Sequence, residues 1–213
     1  MTEKKVRNFK TFMKAVAAGL CISIGAAAYL SCDSKIVGSL LFTTGLFTIC
    51  FFGLNLYTGK IGYVLEMPHP VDCLITWLGN AVGCMCGGAL LRYAIPSLSE
   101  IGRAVTLTKL GISVPRAVVL GIFCGILMYI AVHNYNKNPS FLGKCVGIFV
   151  CIPAFIICGF EHSIANVVYF TLGIRSVSEL LPMLAFTLAV SAANAIGAIL
   201  FRKLSLAFGK EEK

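Results

Sequence analysis

The sequence predicts an all-α, polytopic membrane protein: six transmembrane helices arranged as a 3+3 inverted repeat, with helices 2 and 5 broken in mid-span. Three observations predict this. The chain is 58% hydrophobic and 13% charged over 213 residues, with a mean hydropathy of +0.87, whereas a water-soluble domain carries about 25% charged residues. Six long apolar runs follow one another. Two of them are interrupted by glycines and polar residues at matching places in the two halves. At this length a single domain covering residues 1–213 is the natural organisation, with half-repeats at roughly 10–98 and 110–205.

The first run, Phe12–Ser31, follows Lys4, Lys5, Arg7 and Lys10 and carries Lys14 near its start. Basic residues before an apolar run also open secretory and lipoprotein leaders. Here the run is long enough to span and further spans follow at once, so it is read as the first span. The second, Ile36–Met67, would be about 48 Å long as one helix at ~1.5 Å per residue, against a hydrocarbon core of ~30 Å. Near its middle lies Gly53-Leu54-Asn55-Leu56-Tyr57-Thr58-Gly59-Lys60, an interruption expected at Leu54–Thr58. The third and fourth runs are Cys73–Ile95 and Ser113–His133. The fifth, Cys145–Leu172, carries Pro153 and then Gly159-Phe160-Glu161-His162-Ser163-Ile164-Ala165-Asn166, with an interruption expected at Phe160–Ser163. The sixth, Leu180–Phe201, precedes Arg202, Lys203, Lys210 and Lys213. Each run reaches the ~20 residues a span needs.

An even number of spans puts both basic termini on one side, which the positive-inside tendency makes cytoplasmic. The cell (inner) membrane is the expected location. Lys137 and Lys144, in the loop after the fourth run, join that side. Basic ends flanking apolar spans suit anionic lipid headgroups and argue against a nucleic-acid partner. Arg92, Arg103, Lys109 and Arg116 gather around the opposite loop, an excess that needs a reason. The ten cysteines mostly sit inside apolar runs without metal-ligand spacing. They read as small thiols between helices, with no metal or cofactor implied.

The interruptions repeat. Gly53 and Gly159 lie 106 residues apart, and Gly79-Asn80-Ala81-Val82-Gly83 matches Ala193-Asn194-Ala195-Ile196-Gly197 at an offset of 114. Two sets of three spans must be inverted relative to each other. Paired broken helices in an inverted repeat point to a midplane transport site, and irregular backbone at that depth survives only against protein or a water-filled cavity. The small residues around Asn80 and Asn194 serve close helix packing. Glu161 and His162 form the only acid–base pair deep in an apolar run, where ionisable residues are costly and usually functional. Glu161 could instead satisfy freed backbone N–H groups. The second half-helix would begin near the midplane, its unpaired N–H groups and positive dipole end facing an anion. Lys60, just past the first interruption, either snorkels to the interface or draws anions. His69 and His133 read as interfacial residues.

The run Gly159 to Asn166 resembles the segment-five signature of the formate/nitrite transporter family. Phe42-Thr43-Thr44-Gly45-Leu46, ending in Leu56-Tyr57-Thr58, resembles that family's second helix and its break. Asn80, Asn194 and Lys109 match residues the family keeps. The resemblance covers almost the whole chain. It implies an aquaporin-like six-helix protomer, a homopentamer and one pore per protomer. It implies His162 as the central pore histidine with Thr58 facing it, and Glu161 and Asn166 beside them. Phe42, Leu46, Leu56, Tyr57 and Phe155 would form apolar constrictions, and Lys109 would lend positive potential to the outer vestibule and so account for the outer charge. Tyr57 and Gly125 depart from the formate channels, which carry Phe and Asn there, and resemble the hydrosulfide-conducting branch.

The reading that results is a channel, not an enzyme, for small monovalent anions of weak acids, with hydrosulfide first and formate or nitrite next. A central histidine could hydrogen-bond the anion, or protonate it so that a neutral acid passes. An aquaporin-type channel for neutral solutes is the alternative, and it predicts two Asn-Pro-Ala motifs that this chain lacks. A membrane-embedded enzyme using Glu161 and His162 would need a further catalytic group or metal cluster.

Overall fold

The computed structural model describes residues 2–209. Lys210 and Lys213, counted above with the basic C-terminus, lie outside the described residues. The chain is helical: α1 (Glu3–Leu30), α2 (Lys35–Phe51), α3 (Tyr57–Lys60), α4 (Val71–Ala94), α5 (Pro96–Leu110), α6 (Val114–Lys137), α7 (Phe141–Cys158), α8 (Ser163–Gly173) and α9 (Leu180–Phe208). Short 3-10 turns at Ile61–Tyr63 and Val177–Glu179 follow α3 and precede α9. Among the described residues, five stretches are long and apolar enough to cross a membrane: α1, α4, α6, α7 and Val177–Phe208. The apolar helices α2 and α8, with 17 and 11 residues, are shorter. This is a multi-pass membrane protein.

Its surface is inside out by the standards of a soluble protein. Leu142, Leu181, Phe52, Leu90 and Ile24 are among the large apolar side chains on the outside, while Thr43, Thr58, Asn80, Glu161, His162, Asn166 and Asn194 are buried. Lipid tails are as apolar as Leu, so burial of greasy surface does not hold such helices together. Close packing and internal hydrogen bonds must do so. Helix α1 lies along α4 and α2, α6 lies along α9 and α7, and α5 lies on α8. The two main seams have the same construction. In the first, Gly19 meets the backbone of Asn80 and Gly83 that of Val16; in the second, Gly125 meets the backbone of Asn194 and Gly197 that of Ile122. A methyl group at any of the four would drive into backbone.

Each α2-type helix begins on a serine. Ser34 accepts the Val37 N–H, and Ser140 accepts the Gly143 N–H, satisfying donors the first turn leaves unpaired. Each ends at a glycine with positive φ: Gly53 at 58° and Gly159 at 71°. That left-handed conformation suits glycine because it has no Cβ, and it reverses the helix end. The glycines also set the bounds. The non-helical stretches are Phe52–Leu56 and Gly159–His162, each starting at or just before its glycine. The first therefore begins earlier than the expected Leu54–Thr58, and Thr58 stands inside α3.

One element goes beyond the six runs. Residues 96–110, read from sequence as part of a loop, form α5. Its signals are Pro96 at the first turn and Gly111 just past the end. Leu98, Ser99, Gly102 and Thr106 are its buried face, and Gly102 lies against the Leu172 side chain on α8. The cysteines divide: Cys73, Cys84, Cys124 and Cys151 are buried between helices, but Cys86 and Cys158 are exposed, Cys158 on the wall of a cavity.

Candidate permeation site

Two asparagines anchor the interruptions. Asn80 on α4 accepts the Tyr57 N–H at 2.8 Å and donates to the carbonyls of Ala15 and Asn55, both at 2.8 Å. Asn194 on α9 accepts the Ser163 N–H at 3.0 Å and donates to the carbonyls of Gly121 and Glu161, both at 2.8 Å. The Asn55 N–H donates to the Lys14 carbonyl and the Glu161 N–H to the Leu120 carbonyl. Every partner of Asn194 lies 106 residues after its counterpart around Asn80. Buried backbone groups freed by a gap in a helix have no water to turn to; in each half one side-chain amide meets two of them and ties the gap to a carbonyl of a neighbouring helix, Ala15 on α1 or Gly121 on α6.

The halves differ where chemistry is possible. At the position of Leu56 in the first half the second has His162, and at the position of Ile164 the first has Thr58. The two polar side chains meet: His162 Nε2 lies 2.9 Å from Thr58 Oγ1. Both are buried, at 2% and 1% exposure. His162 is also the N-cap of α8, its Nδ1 accepting the Ala165 N–H at 3.0 Å. A backbone N–H can only donate, so Nδ1 carries no proton. The ring proton is on Nε2, which donates to Thr58. The Thr58 hydroxyl hydrogen remains available to another acceptor.

Apolar rings enclose this pair. Phe155 stacks on the His162 ring with centroids 5.7 Å apart, and Phe42 meets Phe155 edge-on at 5.9 Å. Leu46 is buried nearby in the same core. On either side of this plug lies a cavity. One, of about 440 Å³, is lined by Tyr29, Lys35, Lys109, Arg116, Phe155 and His162, among others. The other, of about 370 Å³, is lined by Leu56, Lys60, Tyr63, Val132 and Asn136, among others. Arg116 and Leu120 stand near the start of α6, and Val132 and Asn136 near its end, so the cavities sit at opposite ends of that helix. From Leu120 to Val132 the helix rises ~18 Å.

A second polar cluster borders the larger cavity. Lys109 Nζ lies 2.7 Å from Glu161 Oε2, which also accepts Asn166 Nδ2 at 2.9 Å. Lys109 also lies 5.5 Å from the centre of the Tyr169 ring. The structure thus brings Thr58 to His162, and Lys109 and Asn166 to Glu161. It places Leu56 in the far cavity wall and Phe42 against Phe155. Tyr57 stands apart, its hydroxyl donating to the Ser191 carbonyl at 3.2 Å.

Part of the charge around the loop between α4 and α6 has a further use. Arg92 donates to the Ile174 carbonyl at 2.8 Å, Arg103 to Gly173 at 3.3 Å, and Arg175 to Leu172 at 3.3 Å. These guanidinium groups cover the carboxyl end of α8, where unpaired carbonyls and the negative dipole end favour cations. Nor does the start of α8 offer a row of free donors. Ser163 N–H is taken by Asn194, Ala165 N–H by His162, and Asn166 N–H by the His162 carbonyl. Two cavity-lining residues, Lys35 and Asn136, are absent from the set expected from the sequence. A lysine directly after the Ser34 cap and an asparagine in the last turn of an otherwise apolar span were the available signals.

A helical membrane protein with a buried polar pair plugged between two opposed cavities belongs to the class of channels and transporters. The comparisons give the family. The family model described as formate/nitrite transporter matches residues 1–208. Formate channel FocB of Escherichia coli K12 is 30% identical over 189 residues, 77% of this chain and 67% of that protein. Nitrite transporter NirC of the same strain is 33% identical over 103 residues, 46% of this chain and 37% of that one. A solved pentameric formate channel with formate bound has the same fold, with a TM-score of 0.80 at 20% identity, covering 97% of this chain and 98% of that one. This chain belongs to the formate/nitrite transporter family.

Proposed function

We propose that this protein is a channel for small monovalent anions of weak acids, working as a homopentamer with one pore in each protomer. Hydrosulfide is the first solute to test, with formate and nitrite next. The observation that carries the reading is the His162–Thr58 pair, buried between two cavities at opposite ends of α6. A charge moved into an apolar plug is very costly unless donors replace its water. Two donors stand at the plug: the Thr58 hydroxyl hydrogen, which is free, and the His162 Nε2–H, which reaches a solute once the Thr58 hydroxyl rotates away from it.

His162 acts in this account as a fixed neutral donor. An imidazolium would set Nδ1–H against the Ala165 N–H, and a neutral ring that gave up its Nε2 proton would become an imidazolate. Proton transfer to the solute would require the ring first to release Ala165. The helix cap therefore favours hydrogen bonding over protonation by His162. The recurrence of the Asn80 contacts around Asn194 supports a 3+3 inverted repeat with an aquaporin-like arrangement, helices 2 and 5 being the broken ones. The basic N-terminus, Lys60 and Lys137 fall at one end of α6, which supports cytoplasmic termini in the cell membrane. Gly125 bears less on substrate than its departure from the formate channels implies, because it is held small by the Asn194 backbone. The case for hydrosulfide rests on Tyr57.

Purified protein in liposomes decides between solutes. Hydrosulfide, formate and nitrite should enter far faster than into empty liposomes, and chloride slowly. Equal entry of chloride, or entry no faster than in empty liposomes, would contradict the reading.

A further inference from the structure

We infer that Lys60 and Asn136 form an anion-binding site in the smaller cavity, where the solute rests before or after passing Leu56. The inference deepens the channel reading and rests on it. The larger cavity is bordered by cations already engaged: Lys109 by Glu161 at 2.7 Å, and Lys35 by the Ile157 carbonyl at 3.1 Å. The smaller cavity is different. Lys60 lines it, and among the described residues its ammonium has neither an ion pair nor a hydrogen bond. Asn136 lines the same cavity, and its amide is likewise without a side-chain partner.

The two are brought together by the packing of α3 on α6. A Cβ on Gly59 would lie 2.9 Å from Val132, so α3 passes against α6 there. Lys60 follows Gly59, and Asn136 lies one turn beyond Val132. Two other charges, Lys14 and Asp72, act on Lys60 from a distance. Lys14 donates to the Gly53 carbonyl at 3.1 Å, and Asp72 pairs with Arg7 at 3.8 Å. A charged donor and a neutral donor, both free among the described residues, therefore share a cavity that ends on the apolar wall of Leu56. A small monoanion with two or more lone pairs satisfies both. A Lys that merely snorkelled to the interface would put its ammonium into bulk water rather than into a cavity wall.

The site has a sided signature. A cleft lined by one sign of charge raises the local concentration of its counter-ion roughly tenfold or more, and salt abolishes the effect. Formate entry is measured in membrane vesicles of both orientations, with formate as the probe. In Lys60→Met, the half-saturating concentration for entry from the Lys60 face should rise by about tenfold at low salt, with a much smaller change from the opposite face, and high salt should erase the difference from wild type. Lys60→Arg should restore the wild-type value, and Asn136→Ala should raise it by a smaller factor. Should Lys60→Met fail to assemble, the Asn136→Ala and Lys60→Arg values decide. A conducting Lys60→Met, or a conducting Asn136→Ala, with wild-type half-saturation on both faces overturns the site and leaves the channel reading standing. Wild-type vesicles that pass no monoanion overturn both.

Discussion

Glu161 and Lys109 show how a single residue's role shifts once its partners are known. In sequence Glu161 is one half of an acid–base pair with His162, and Lys109 is a lone cation lending potential to a vestibule. In the fold Glu161 turns away from the imidazole and holds Lys109 at 2.7 Å, with Asn166 on the same oxygen. Both partners are largely buried, their side chains 14% and 3% exposed for Lys109 and Glu161. Removing one member of such a pair leaves a charge without compensation and costs on the order of 3–5 kcal/mol. Glu161→Gln should therefore lower the thermal midpoint in detergent clearly. Adding Lys109→Met should recover much of the loss, since the two changes share one interaction. Equal and additive losses would mean that the pair does not act as a unit. The His162–Thr58 contact was legible as an expectation from the family resemblance. The proton on Nε2 was not, because it depends on the α8 cap, which only coordinates reveal.

At the level of elements, the interruptions rest on asparagines in neighbouring helices. Asn194→Ala removes three hydrogen bonds and strands the Ser163 N–H and the Glu161 carbonyl, at about 1–3 kcal/mol for each group left unsatisfied. The expected outcome is a loss of at least about 2 kcal/mol, read by thermal or denaturant unfolding, with the effect on the His162 position showing as lost flux even in the folded fraction. Asn80→Ala should do the same from the other half. A near-neutral result at either position would detach the asparagines from the breaks. The glycines at positive φ and the asparagines beside small residues were visible in the sequence through their spacing, at offsets of 106 and 114. The change between those offsets falls where four-residue α3 and its 3-10 turn in one half answer to 11-residue α8 in the other. Helix α5 was harder to read. Its buried face is Leu98, Ser99, Gly102 and Thr106, too polar and small to stand out by hydrophobic periodicity, and it is fixed by its packing on α8. The same packing explains why Arg92, Arg103 and Arg175 gather there, a use of charge that no local pattern announces.

For the whole molecule, the outward belt of Leu, Phe and Ile must meet lipid, other protomers, or both. Native mass measurement in mild detergent should give five copies, and a stable monomer or dimer would contradict the pentamer. Within each protomer the central claim is that the solute crosses the plug by exchanging water for the donors of His162 and Thr58. His162→Phe removes the Nε2 donor and the α8 cap together while keeping an aromatic volume against Phe155. The most direct measurement is the initial rate of hydrosulfide and formate entry into liposomes holding assembled His162→Phe beside wild type. Losing a hydrogen bond to a charged group, at about 1.5–3 kcal/mol, corresponds to a fall of roughly 10- to 150-fold, and the account predicts a fall of that size with assembly intact. Entry at the wild-type rate through assembled His162→Phe would contradict it.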